Sequence, residues 1–291
     1  METKVVSPQG KEIVIGDNRP IVLIGERINP FSKGPLKEAM KSGDMEPIRA
    51  EALRQVEDGA DILMVSVAAF GLDENVVLPQ VTEAIIKTVD VPLCLESRNP
   101  LAIEKTLHLG CGKPIISSVT GEEAVLKDIL PLIKKYHTSL VILASDTSGI
   151  PNQAVKRLEI ISLIIEKAKG MGIGIEHLIA DCVAESSAVN PMAAIITLET
   201  MKRVREQWGM NMVLGASNVS FGLPSRAVIN AVFLSLAAQA GLTSAIVNAK
   251  MMKPYILASD LLMGRDHRAR RYTGYYRTAF KPPVHKGSSE G

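Results

Sequence analysis

Eight short apolar runs, each followed by a longer stretch of helical periodicity, recur through most of this chain. The runs occupy residues 21–25, 62–67, 92–95, 114–116, 140–144, 178–180, 212–216 and 245–247. Helical spacing of apolar residues follows over 44–57, 79–89, 100–109, 121–136, 151–169, 192–208, 223–240 and 253–263. The runs are apolar throughout instead of alternating with polar residues, as strands are when both faces are covered. Strand–helix units of that kind build a parallel sheet wrapped by helices. Eight of them in 291 residues predict a closed (β/α)8 TIM barrel rather than an open doubly wound sheet. Within 44–57, Met45, Ile48, Leu53 and Val56 are expected on one face. Pro151 is expected in the first turn of its helix, where the missing N–H costs nothing, and Gly170 at its stop.

Two flanks surround the barrel. Residues 3–16 alternate weakly around Pro8-Gln9-Gly10 and read as a hairpin, so 1–20 is expected as an N-terminal cap on a single domain over 1–264. Residues 265–291 form a basic C-terminal tail with seven Lys/Arg against Asp266 and Glu290, while the rest of the chain is net −3. The Gly/Ser-rich last five residues are expected to be disordered. Nucleic-acid binding finds no support beyond that tail, since aromatics make up only 4% and no zinc or RNA-binding motif occurs. No apolar stretch is long enough to predict a membrane span, and the start Met-Glu-Thr-Lys lacks the order of a signal peptide. Cys94, Cys111 and Cys182 are too scattered for a disulfide framework or a CxxC pair. A cytoplasmic location is the expectation.

In a barrel of this kind chemistry gathers just past the strands. Those positions hold Glu26, Asn29, Ser66, Glu96, Asn99, Ser117, Asp146, Asp181, Asn218, Ser220 and Asn248. Any single Ser or Asn in such a place is more simply a helix cap or turn residue, and Asp146 with Thr147 has that look. The set as a whole is less easily dismissed, because caps do not require carboxylates at the last strand position. No G-x-S-x-G elbow, P-loop or H-E-x-x-H motif is present, and the five histidines fall before strands or in the tail. Gly170-Met-Gly172-Ile-Gly174 precedes a strand instead of following one, which disfavours dinucleotide binding. A histidine metal site or a Ser/His nucleophile is disfavoured as well. The remaining mouth of neutral hydrogen-bonding groups and a few acids suits a polar heterocycle held for group transfer.

Four segments carry a family resemblance: Gly25-Glu-Arg-Ile-Asn29, Leu95-Glu-Ser-Arg-Asn99, Ile179-Ala-Asp181 and Gly215-Ala-Ser-Asn-Val-Ser220. From about Ile21 to Met263 the chain resembles the pterin-binding methyltransferases, and most of all the methyltetrahydrofolate:corrinoid type. Dihydropteroate synthase and the folate module of methionine synthase are relatives of that family. The resemblance implies a TIM barrel that is commonly a homodimer and binds its pterin at the C-terminal mouth. It implies a methyl group moved between N5 of tetrahydrofolate and the cobalt of a cobalamin-bearing corrinoid protein. By position, Asp181 would pair with the pyrimidine edge of the pterin and Asn218 would face the methyl-bearing nitrogen as the catalytic residue. Glu26, Asn29, Ser66, Glu96, Ser117 and Ser220 would complete the pterin site. Glu96 stands where the family usually has Asp, Ser117 where it has Asn, and Leu63-Met-Val-Ser66 where it shows L-D-x-N. No D-x-H-x-x-G corrinoid signature occurs in the sequence, so the corrinoid is expected on a partner protein.

Direction of transfer stays open at this level, and formation of methyltetrahydrofolate within a demethylation system is one option. Two rivals are carried forward. One is a dihydropteroate-synthase-like enzyme, for whose pyrophosphate substrate only Arg98 and Lys250 lie near the strand ends. The other is a non-catalytic pterin-binding or corrinoid-protein-docking subunit.

Overall fold

The computed structural model describes residues 1–32 and 34–279. Eight parallel strands close into a barrel: β3 (Val22–Ile28), β4 (Ile62–Ser66), β5 (Leu93–Glu96), β6 (Ile115–Val119), β7 (Ser139–Leu143), β8 (Leu178–Asp181), β9 (Asn211–Gly215) and β10 (Ser244–Val247), with β10 returning to pair with β3. Around it run α1 (Leu36–Ser42), α2 (Glu46–Glu57), α3 (Glu74–Ile86), α4 (Pro100–Leu107), α5 (Glu123–Tyr136), α6 (Ala154–Gly170), α7 (Ala193–Trp208), α8 (Arg226–Ala240) and α9 (Ala249–Leu262). A further helix, α10 (Arg270–Ala279), follows within the basic segment. The expected barrel is thus the observed one.

Strand periodicity of two sorts side chains to opposite faces. Ile24, Ile62, Cys94, Ile115, Val141, Ile179, Val213 and Ile246 meet in a buried cluster inside the barrel. Their chain neighbours Leu23, Leu63, Leu95, Ile116, Ala180 and Leu214 belong to the larger layer under the helices. An antiparallel hairpin, β1 (Glu2–Val6) with β2 (Glu12–Gly16), plugs the end opposite the mouth. Its Val5 and Ile15 complete the interior cluster. Asn211, the first residue of β9, fastens the plug by donating to Thr3 Oγ1 at 2.9 Å and to the Ile15 carbonyl at 3.0 Å. The hairpin thus seals this end of the barrel interior with side chains.

Several element boundaries differ from expectation, each for a local reason. Helices α3 and α9 begin five residues before Pro79 and Pro254, which were expected at or beside their starts. Asp73 caps α3 by accepting from the Asn75 amide, so the helix nucleates upstream and tolerates the proline at the loss of one backbone bond. Pro151 lies outside α6, because Gln153 is extended (φ −135°, ψ 133°) and the helix starts only at Ala154. In α2 the buried face is Ile48, Glu51, Ala52 and Gln55, and Leu53 is exposed. Glu51 takes the inward place expected for Leu53 because it pairs with Arg27 of β3 and Arg54.

The basic segment from 265 onward is tied to the barrel as far as it is described. Asp260 of α9, fully buried, accepts from the Ile21 amide with both oxygens and from Arg271 of α10 at 2.9 Å. Arg265 donates to the Leu242 carbonyl at 2.9 Å. Asp266 caps α10 by accepting from the Arg271 and Tyr272 amides. The disorder expected for the last five residues falls outside the described part of the chain.

Candidate functional site

Continuing the inward-facing alternation past the interior cluster gives Glu26, Met64 and Ser66, Glu96, Ser117, Leu143, Asp181, Gly215 and Asn248. Five of the eight expected site residues therefore face one mouth by strand parity alone. The pairing register shifts between Gly25 and Ile28 and again between Ser117 and Val119. Such irregularities re-aim side chains at barrel rims.

The segment 25–29 divides its work residue by residue. A Cβ on Gly25 would press on Gln55 Oε1, so glycine eases the approach of β3 to α2. Gln55 in turn accepts from the Arg27 amide at 3.1 Å. Arg27 points outward to Glu51 at 2.9 Å, while Glu26 points into the mouth. Burial pushes the Glu26 carboxyl above its usual range, opposed by the Ser217 hydroxyl at 3.3 Å and by the charges of Arg226 and Arg27. Asn29 spends its carboxamide on its own loop, donating to the Glu26 carbonyl at 2.6 Å and accepting from the Phe31 amide at 2.9 Å. It still lines the cavity, but as a builder of it.

A cavity of about 450 Å³ opens over β3 to β6, lined by Glu26, Asn29, Met64, Ser66, Glu96 and Ser117 among others. Met64 is half-buried on top of the interior cluster and forms an apolar floor there. Glu74, at the start of α3, also lines it and accepts from the Ser97 hydroxyl at 2.6 Å. Among the described residues, three carboxylates thus face this cavity against one guanidinium, Arg98. Asn99 caps α4 by accepting from the Leu101 and Ala102 amides, and Asp146 closes a turn onto Ser148, so both belong to the local backbone.

Across the barrel, Asp181 ends β8 and is held by the Val183 amide at 2.8 Å. Its carboxyl is pushed up to about 6 by burial, with the Val183 amide and Arg157 pulling the other way. Arg157 of α6, fully buried, organises this loop. It donates to the carbonyls of Pro151, Cys182 and Val183 and pairs with Glu185. Val183 is held there at φ 58°, in the left-handed region that a β-branched residue rarely enters.

On β9 the inward position is Gly215. A Cβ there would lie 3.2 Å from Asn218 Nδ2, which shows that the Asn218 carboxamide folds back over the strand end. Asn218 is exposed and sits in a short 3-10 turn, Ala216–Ser220. Ser220 is fully buried beneath that turn, donating to the Ser217 carbonyl and accepting from Arg226 at 3.1 Å. It supports the mouth without reaching it. A second cavity of about 310 Å³ lies on this side, lined by Glu26, Ser217, Arg226, Ala227, Asn230, Val247, Asn248, Met251 and Met252. Glu26 is common to both cavities.

Sequence reasoning missed Glu74, Arg157, Arg226 and Asn230 because it examined strand ends. The last two lie on the first turns of α8, where a four-residue spacing aligns them on one face. That spacing was the available signal.

The model of the pterin-binding enzyme family matches residues 26–248, from Glu26 on β3 to Asn248 beyond β10. This chain belongs to the pterin-binding enzyme family. A methylcorrinoid:tetrahydrofolate methyltransferase of Eubacterium limosum is 30% identical over 271 residues, covering 91% of this chain and 99% of that protein. Methionine synthase of Mycobacterium tuberculosis is 28% identical over 83% of this chain, which corresponds to 21% of its own length. Among solved structures, a dihydropteroate synthase of Xanthomonas albilineans superposes with a TM-score of 0.68 at 18% identity, over 90% of this chain and 98% of that one. At that identity the likeness extends to the barrel fold alone. As a pterin-binding enzyme the chain keeps its polar strand-end positions within the matched span, with Met64 as the apolar floor among them.

Proposed function

We propose that this pterin-binding enzyme transfers a methyl group from the cobalt of a separate corrinoid protein to N5 of tetrahydrofolate. The observation that carries this reading is the full-length match to a methylcorrinoid:tetrahydrofolate methyltransferase, 30% identical over 99% of that relative. The mouth is consistent with it. The pyrimidine edge of a pterin presents amino and N–H donors, which a carboxylate at Asp181 can accept as a pair. Glu96 and Ser117 close the opposite wall, with Glu26 and Ser66 beside them. Asn218 folds back over Gly215, and a carboxamide there can donate or accept as N5 changes protonation.

The transfer is an in-line displacement in which the N5 lone pair forms the new C–N bond, the cobalt–carbon electron pair stays with the metal, and the N5 proton leaves. Positioning and electrostatics are then the protein's main contributions. A macromolecular methyl donor needs a surface to dock on, and the rim supplies one. Phe31, Phe70, Val189 and Phe221, on loops beyond β3, β4, β8 and β9, are each more than two-thirds exposed. A second copy of this chain is the proposed partner for the outer face of α8, where Val228, Val232 and Leu236 are exposed at four-residue spacing.

The dihydropteroate-synthase-like rival requires a diphosphate leaving group. Glu26, Glu74 and Glu96 around the larger cavity repel one, with Arg98 as the only cation among its described lining residues. Incubating the protein with [¹³C-methyl]methylcobalamin-loaded corrinoid protein and tetrahydrofolate should place the label on N5, read by NMR. Label retained on cobalt, with pteroate formed from p-aminobenzoate and a pterin diphosphate, would transfer the reading to the rival.

A further inference from the structure

We infer that Arg157 is a positioning residue for Asp181: reaching over from α6, it fixes the Cys182–Val183 peptide that presents its N–H to the Asp181 carboxylate. This rests on the reading of Asp181 as the anchor for the pyrimidine edge of the pterin. Nothing in the transfer chemistry calls for a cation behind the barrel wall, yet Arg157 is fully buried there. Burying a guanidinium is costly unless its donors find partners. Its Nη1 donates to the Cys182 carbonyl at 2.6 Å and the Val183 carbonyl at 2.7 Å, and its Nη2 to Glu185 at 2.5 Å. Its Nε donates to the Pro151 carbonyl at 2.8 Å. Thr197 of α7, also fully buried, brings its hydroxyl to 2.8 Å from the same Val183 carbonyl.

A trans peptide points its C=O and N–H to opposite sides. With the Cys182 carbonyl drawn to Arg157, the Val183 N–H is turned the other way, onto Asp181 Oδ1 at 2.8 Å. Val183 then lies at φ 58°, a region that a β-branched residue occupies only where surrounding bonds over-determine it. A planar guanidinium can span both carbonyls, and the single ammonium of a lysine cannot hold them in the same fork. Electrostatics run the same way. Burial pushes the Asp181 carboxyl up, and the Val183 amide and Arg157 pull it back toward the ionised form that a pterin needs. The strands on either side place Leu143 and Val213 beside Asp181, and neither titrates. Burial raises the neighbouring Cys182 thiol, so it is uncharged at neutral pH, and Glu185 bears on Asp181 through its pairing with Arg157.

The assignment is tested by following tetrahydrofolate affinity across pH in wild type, Arg157→Gln, Arg157→Lys and Glu185→Gln. In parallel, the Asp181 carboxyl of each ligand-free protein is titrated by ¹³C NMR, its signal assigned with Asp181→Asn. Arg157→Gln should move both midpoints up from about 6 by about one unit, since an opposite charge is removed. Arg157→Lys should move them less, because the charge is kept, while weakening binding about tenfold at high pH through the lost hold on Val183. Glu185→Gln leaves Arg157 unneutralised and should move both midpoints down. Glu185 is about a third exposed, so this variant carries the test if the buried substitutions do not fold. An Arg157 that only fills the wall would lose affinity equally at every pH with both midpoints at the wild-type value, and Glu185→Gln would move neither. That result overturns the assignment. Absence of tetrahydrofolate binding in every protein, with the carboxyl midpoints shifted as stated, would sink the pterin reading and leave the hold of Arg157 on Asp181 in place.

Discussion

At the scale of single residues, charge state and space decide what the mouth can do. Asp181 has its carboxyl raised from 3.8 to about 6, so the folded chain holds this proton more tightly than the unfolded one. Through this group alone, stability of the ligand-free protein declines as pH rises from about 4 to about 6 and is level above that. Pterin affinity has the opposite sign, since pairing with the pyrimidine edge requires the carboxylate. Affinity should therefore fall about tenfold per unit below pH 6 in wild type and lose that dependence in Asp181→Asn, measured by titration across pH. An unchanged affinity in the variant at pH 7 would remove Asp181 from the site. Asn218→Ala should slow methyl transfer far more than it weakens pterin binding, and equal losses in both would reduce Asn218 to a binding residue. Gly215→Ala should produce a milder version of the same split, because its Cβ presses on Asn218 Nδ2 from 3.2 Å.

At the scale of elements, each strand couples an outer contact to an inner one. Gly25 shows this on β3, where it packs close to Gln55 of α2 while its neighbour Glu26 faces the mouth. Gly25→Ala should cost about 1–3 kcal/mol by overpacking, read as a lowered urea midpoint at constant slope. Loss of tetrahydrofolate affinity should accompany it, and full stability would show that Gln55 moves aside freely. The inner contacts were legible in the sequence because strand parity is a simple count, so Glu26, Ser66, Glu96, Ser117 and Asp181 needed only the strands to be found. Asn218 is a different case, since it is exposed in the turn after β9 with its carboxamide over Gly215, where no parity count places it. The burial of Ser220 was not legible, because within a 3-10 turn it depends on Arg226, six residues later at the start of α8. The helix start expected at Pro79 misled for a related reason: proline marks a first turn only when no cap nucleates the helix earlier, and Asp73 does so here. Arg157 was invisible, since nothing local to α6 reveals that it will bond carbonyls from the loop after β8.

At the scale of the molecule, the barrel is closed at one end by the β1–β2 hairpin and open at the other, where two cavities share Glu26. Eightfold strand–helix rhythm made that architecture readable before any side chain was placed. The open end has a polar interior, and Phe31, Phe70, Val189 and Phe221 are exposed on the loops beyond β3, β4, β8 and β9. Asp260 ties β3, α9 and α10 together beneath this arrangement, so the basic helix α10 is held on the barrel. The central claim is that the mouth moves a methyl group between cobalt and a folate. It is tested most directly by mixing the protein with methylated corrinoid protein and tetrahydrofolate and following the cobalt absorbance. Conversion of methyl-cobalt(III) to cobalt(I), dependent on tetrahydrofolate and slowed by Asn218→Ala, is the predicted result. An unchanged spectrum, with tetrahydrofolate bound and the corrinoid protein docked, would contradict the claim and leave a pterin-binding docking subunit in its place.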